Sequence, residues 1–416
     1  MKTKLFLFTF FTTLLVFAQE KTVNLSLGAS YANQVYYHLN SESSTSFDKN
    51  SWDIAFLRIS NFDQGMRVND GVGIEVYEAA NNASEWDNID VNNTTNWVKL
   101  YNSDKERKEG AFMQGSATYG WGEYNVTTHT VNGTIVFVLK YTADDTYKKF
   151  ICEIYSGGYT IKYASWDSNS STWGEDKTAT VANTNNVNHN YNYFSLQSDQ
   201  EVVAEPEATN WDFVFTKYYT DVPDGQGGTT KYLVTGVLTS DNVTVAKGTD
   251  NDTSNLSYSS EINMIGYDWK DLNASWQWDI FSDQKFYIKY ADGTIYKMYF
   301  TDFEGSSTGN LEFKFEDVTH ALSIENVGEN IAFGVYPNPV NSDRKINIIY
   351  DINKTTATKS VIEIYNISGK RVLKTEVLNS EGFYNKEIDL GDLRSGIYLM
   401  RFNSGNYQKT RKIVLK

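Results

Sequence analysis

Four blocks of this sequence occur twice, in the same order and about 150 to 160 residues apart. Ser51-Trp52-Asp53-Ile54-Ala55-Phe56-Leu57-Arg58 is matched by Asn210-Trp211-Asp212-Phe213-Val214-Phe215-Thr216-Lys217. An aromatic stretch precedes each copy, Tyr36-Tyr37-His38-Leu39 and Tyr193-Phe194-Ser195-Leu196. Farther on, Trp121-Gly122-Glu123-Tyr124-Asn125 answers to Trp269-Lys270-Asp271-Leu272-Asn273, and 137–154 overlies 286–303 without a gap. A period this long exceeds that of any solenoid unit, so the duplication predicts two whole domains rather than an array.

The second copy shows what kind of domain to expect. Phe286, Ile288 and Tyr290 alternate with polar or outward positions, as do Tyr296, Met298 and Phe300, the period of a half-buried strand. Asp292-Gly293 between the two runs predicts a hairpin with positive φ at the turn; the first copy has the weaker Ala143-Asp144-Asp145-Thr146. With 29 Tyr, 23 Phe and 10 Trp set among Asn, Thr, Ser and Gly, the composition suits pleated surfaces joined by polar turns. An all-β chain follows, with copies at 19–180 and 190–322 joined by the Asn-rich 183–190. Beyond about residue 325 short strands alternate with Ser-Gly turns, which predicts a small β-sandwich over 333–416.

Lys2 and Lys4 before the apolar 5–17, then Val16 and Ala18 at a small-residue cleavage site, read as a signal peptide over 1–18. The run is too short to span a bilayer, and no later stretch is long and apolar enough to do so. The formal charge is −15, falling to −17 once Lys2 and Lys4 leave with the leader, which disfavours nucleic acid and anionic membranes as partners. Cys152 has no second cysteine to pair with and lies in an apolar run, so it reads as a small core residue.

The end of the chain resembles the type IX secretion sorting domain. The residues that carry the likeness are Tyr336-Pro337-Asn338-Pro339, Ile364-Tyr365-Asn366-Ile367-Ser368-Gly369-Lys370-Arg371-Val372, Leu393-Arg394-Ser395-Gly396-Ile397-Tyr398-Leu399 and the basic 409–416. The resemblance implies export to the cell surface or medium, with the type IX machinery as partner and removal of 333–416 at the outer membrane. The two upstream copies resemble the HmuY family of haem-binding proteins, through the aromatic strand, Trp-Asp-hydrophobic-hydrophobic-Phe and the tail 286–298. That resemblance implies tandem antiparallel β domains and, as cofactor, haem held by loop-borne His or Met.

Among His and Met residues, His129 lies in a rim position after Trp121, while Met113 and Met264 precede the paired Trp motifs. These three are the candidate haem ligands, since His and Met are established axial donors; Met66 reads as a loop residue, and His38, His189 and His320 fall on a strand, the linker and a domain end. The competing reading makes all of them core filler or surface residues. Neither a zinc-protease, a nucleophile-elbow nor a phosphate-loop motif is present, which points away from an enzyme. Paired carboxylates of a glycoside hydrolase are the weakest alternative. Asp53 and Asp212 read as structural acceptors for a neighbouring turn, and Asp221, Asp224, Asp250 and Asp252 as solvated loop charges rather than calcium ligands. A binding protein is the expectation, for a haem-like small molecule first and a polysaccharide second; a planar row of Trp166, Trp173 and Tyr191 would mark the glycan case.

Overall fold

The computed structural model describes residues 20–59, 63–250, 256–319, 325–326, 331–341, 343–352, 359–380, 382–404 and 407–416. The expected leader at 1–18, His320 and Asp252 lie outside them. The chain is all-β, built of antiparallel sheets with short 3-10 turns such as Ala111–Gln114 between strands. No described helix is long and apolar enough to cross a membrane.

The sheets do not respect the boundary expected at 180–190. The aromatic strand Asn33–His38 pairs with Phe213–Pro223, the strand after Trp211-Asp212, whereas Tyr191–Ser195 pairs with Ile54–Leu57, the strand after Trp52-Asp53. Each copy thus lends its first strand to the other. Lys21–Ser26 goes the same way, joining the sheet of Asn310–Asp317, Ile295–Phe303, Lys285–Tyr290 and Val243–Gly248. Strand pairing thus crosses the expected division into 19–180 and 190–322: strands of 54–204 pair among themselves as one half, and those of 21–48 with 211–317 as the other. The blocks repeat because both halves use them alike, but periodicity does not say which copy a strand pairs with.

The Trp-Asp pair explains why this exchange is specific. Asp53 accepts the Leu196 N–H at 2.6 Å and Asp212 the Leu39 N–H at 2.7 Å, each closing the turn after the borrowed strand. Asn69 donates to the carbonyls of Lys49 and Trp52, and Asn242 to those of Ala208 and Trp211, the same positions in each copy. Trp52 meets Tyr193 edge-on at 4.9 Å; Trp211 meets Tyr36 at 5.0 Å. Both carboxylates are buried and were expected to be structural acceptors, and burial raises both above the usual carboxylate range.

The first half closes over Phe56, Phe112, Trp121, Phe137, Phe150 and Tyr159, all fully buried. Cys152 is buried in this core, which pushes its thiol well above its ordinary value. In the second half Trp269 stacks on Phe300 at 3.7 Å. The two matched hairpins, Val136–Tyr141 with Thr146–Tyr155 and Lys285–Tyr290 with Ile295–Phe303, close through four-residue loops. Of the expected Asp292-Gly293 turn only Gly293 takes positive φ, at 92°, because a four-residue loop needs fewer left-handed residues than a two-residue one. The Asn-rich 183–190 is a fastened connection. Arg58 donates to the carbonyls of Asn183, Val187 and His189, and Asn183 donates to the Tyr155 hydroxyl.

The C-terminal unit has two four-stranded sheets: Glu325–Asn326, Ile331–Tyr336, Lys345–Ile352 and Gly382–Asp389, and Arg371–Val377, Ser360–Asn366, Gly396–Ser404 and Tyr407–Leu415. Phe333, Ile348, Tyr350, Ile364, Met400 and Phe402 fill the space enclosed.

Candidate functional site

Where the halves exchange strands, two hollows share residues. The outer cleft, about 410 Å³, is lined by Ile59 and 105–108 from one half and by Asp241, Val243, Thr244 and 260–262 from the other. The inner cavity, about 90 Å³, is lined by aromatic and charged groups from both copies, among them Trp52, Arg67, Asp70, Tyr191, Lys217 and Tyr218. Arg107 and Ile262 line both.

The 105–108 loop is held from behind. Arg67 donates to the carbonyls of Ser103, Glu106 and Arg107, the Tyr191 hydroxyl donates to the Arg107 carbonyl at 2.6 Å, and Ile262 N–H donates to that of Lys105 at 3.0 Å. Arg107 itself reaches across the seam to Asp241 at 3.2 Å and the Thr239 carbonyl at 2.6 Å, lying 5.0 Å from the Trp211 ring. Lys105 pairs with Glu261 at 3.5 Å. Lys108 and Lys217 have no carboxylate partner among the described residues, and desolvation lowers the Lys217 amine from its ordinary value. The Trp52 indole N–H is also buried without an acceptor among the described residues. Unmatched donors at a cleft suit a ligand that brings its own acceptors.

Acids behind the seam are held partly neutral. Glu205 accepts from the Tyr191 N–H at 2.8 Å and the Tyr193 hydroxyl at 3.1 Å, yet burial pushes it up to about 7. Asp70, beside Asn102, is pushed by burial to about 6.

The expected haem donors are scattered. Met113 packs half-buried against the first core, His129 is exposed at a hairpin tip with its Nδ1 2.8 Å from the Tyr124 hydroxyl, and Met264 is half-buried in a turn two residues past Ile262. None lines either hollow, and no two meet, so these residues do not fit two-sided ligation of a haem iron. Met66 is not in a loop: it is a fully buried core residue of strand Met66–Val68. The expected glycan row is broken as well. Trp166 and Trp173 pack edge-on at 5.2 Å, but Tyr191 is buried at the seam. The seam residues Arg67, Arg107, Glu205 and Lys217 escaped sequence reading because their roles exist only across the strand exchange.

The C-terminal motifs make their own site. The Asn338 amide bridges into the last strand, donating to the Lys412 carbonyl at 2.7 Å and accepting from the Val414 N–H at 2.9 Å, and Val340 N–H continues the ladder to the Val414 carbonyl. Asn366 caps the Ser-Gly-Lys turn by accepting from the N–H groups of Ser368 and Lys370, with Gly369 at φ 81°. Ser395 donates to the Lys416 carbonyl, so the first motif and the Ser-Gly motif both meet the final strand. Residues 334–416 match the secretion system C-terminal sorting domain. The chain ends in a sorting domain. It marks an exported protein of the type IX route, at the cell surface or secreted, and that machinery is the sorting domain's partner. No family match supports haem-binding domains upstream, and no curated protein matches the chain.

Proposed function

We propose that the strand-exchanged body is a non-catalytic binding protein, carried outward by its sorting domain, that takes a small ligand with an apolar body and an acid group at the seam. The observation behind this reading is that Arg107 and Ile262 line both the outer cleft and the inner cavity, with Lys108 and Lys217 left without carboxylate partners among the described residues. Ile59, Val243 and Ile262 offer the ligand's body an apolar wall; the cations take its acid. Haem, a flat apolar plane bearing two carboxylates, is the first member of that class to try, bound here by its plane and acids rather than by two opposed donors.

Absorption titration of the leaderless chain with haemin, and calorimetry with dodecanoate, test this. Lys108→Ala and Lys217→Met should each weaken binding about tenfold. Met113→Ala, His129→Ala and Met264→Ala should leave haemin affinity unchanged unless one of them supplies an axial bond, which a shifted Soret band would register. No response to either ligand would remove the seam as a binding site.

A further inference from the structure

The second half carries a projecting hairpin, Lys270–Leu272 with Trp278–Ile280, whose tip holds Trp276 at 83% exposure. Trp276 sits in the left-handed region at φ 59°, an uncommon conformation for an aromatic residue. Its N–H donates to the Asn273 carbonyl at 3.0 Å, while the Asn273 side chain accepts from the N–H groups of Ser275 and Gln277. The mount below is rigid. Lys270 is buried, its amine donates to the Thr235 carbonyl at 2.7 Å and lies 4.0 Å from the Trp269 ring, and Trp278 packs on Phe303 at 5.1 Å.

The register sorts the two faces. Lys270, Leu272, Trp278 and Ile280 share one face, and Asp271 stands opposite Asp279 on the other. The amide of Asn273 donates to Asp279 at 3.0 Å, placing it on the acidic side too. Two carboxylates directly opposed across a ladder are unfavourable unless a partner supplies donors. The equivalent hairpin of the first half lacks this arrangement: Val126 is at its tip, and Tyr124 is engaged with His129.

We propose that Trp276, with Asp271, Asn273 and Asp279, is a subsite for a neutral polysaccharide, separate from the seam. A solvent-facing indole on a hydrogen-bonded turn offers a flat apolar surface to the C–H face of a sugar ring, and the carboxylates and amide of the same hairpin can accept from and donate to its hydroxyls. The acidic flank repels anionic lipid and uronic-acid polymers, leaving a neutral glycan as occupant. Delivery to the outer surface puts the subsite where such polymers are met.

Affinity electrophoresis of the leaderless chain through gels containing a soluble neutral glucan, mannan or xylan should show retardation by at least one, and none by polygalacturonate. Trp276→Ala should weaken it tenfold or more, Asp279→Ala several-fold, and Trp276→Phe should keep part of it. An unchanged melting curve for Trp276→Ala, expected from its exposure, separates lost binding from lost fold. Absence of retardation in all neutral gels, equal retardation of Trp276→Ala, or preference for the acidic polymer or for anionic vesicles would overturn the proposal. Because Lys108 and Lys217 play no part in it, their variants should migrate as the parent does, so this subsite and the seam fail independently.

Discussion

Single residues carry the exchange. Asp212 is fully buried and accepts from both the Leu39 N–H and the Tyr290 hydroxyl, so Asp212→Ala takes the acceptor from the buried Leu39 N–H. A loss of about 1–3 kcal/mol for that donor is expected, read as a lower urea midpoint. Trp211→Ala, removing a buried indole, should cost about 3–5 kcal/mol. Glu205 adds a pH dependence. Its folded carboxyl is raised to about 7 from 4.5, so the folded chain holds a proton that the unfolded chain has already released. This group favours the fold fully below pH 4.5, and its contribution falls as pH rises from there through 7; Asp70, raised to about 6, acts in the same direction. Glu205→Gln should flatten the pH profile and gain up to roughly 3 kcal/mol at pH 8 relative to the parent. The structural role of Asp53 and Asp212 and the burial of Cys152 were legible in the sequence, since a carboxylate at a strand start and a thiol in an apolar run have few other uses. Glu205 was not: nothing in Ala-Glu-Pro announces a buried acid.

At the scale of strands, alternation and turn chemistry located the 286–303 hairpin, its counterpart at 137–154 and the C-terminal strands, because period-two patterning is local. Partner choice is not local. Tyr36-Tyr37 and Tyr193-Phe194 are near-equivalent strands facing near-equivalent Trp-Asp partners, and a repeat is by construction silent about which member of one pair meets which of the other. Spacing along the chain likewise places Met113, His129 and Met264 near matched motifs, while the fold puts them on separate elements away from both hollows. A direct consequence can be measured. If the chain is cut by a protease between Asn183 and Asn190, the two pieces should stay together through gel filtration, since each supplies the other's edge. Residues 19–180 expressed alone should lack a cooperative unfolding transition, because Asn33–His38 has lost Phe213–Pro223; a sharp transition would argue against the exchange.

For the whole molecule, the sorting domain was the most legible part, because its motifs are tied to its own last strand through Asn338 and Ser395 rather than to anything distant. Mass spectrometry of the protein taken from the native surface should find peptides up to about residue 319 and none from 334–416; abundant intact C-termini there would contradict processing. One feature of the body then bears on timing. Lys21–Ser26 lies in the same sheet as Asn310–Asp317, and at their meeting Leu27 donates to the Gly309 carbonyl, with Gly309 so near the Gly28 backbone that a side chain on Gly309 would strike it. Contacts separated by nearly the whole body are slow to form. The first described strand must therefore wait for Asn310–Asp317, so a chain broken off anywhere before residue 310 cannot seal that sheet. Closure of that sheet therefore requires the body of the chain from Lys21 to Asp317.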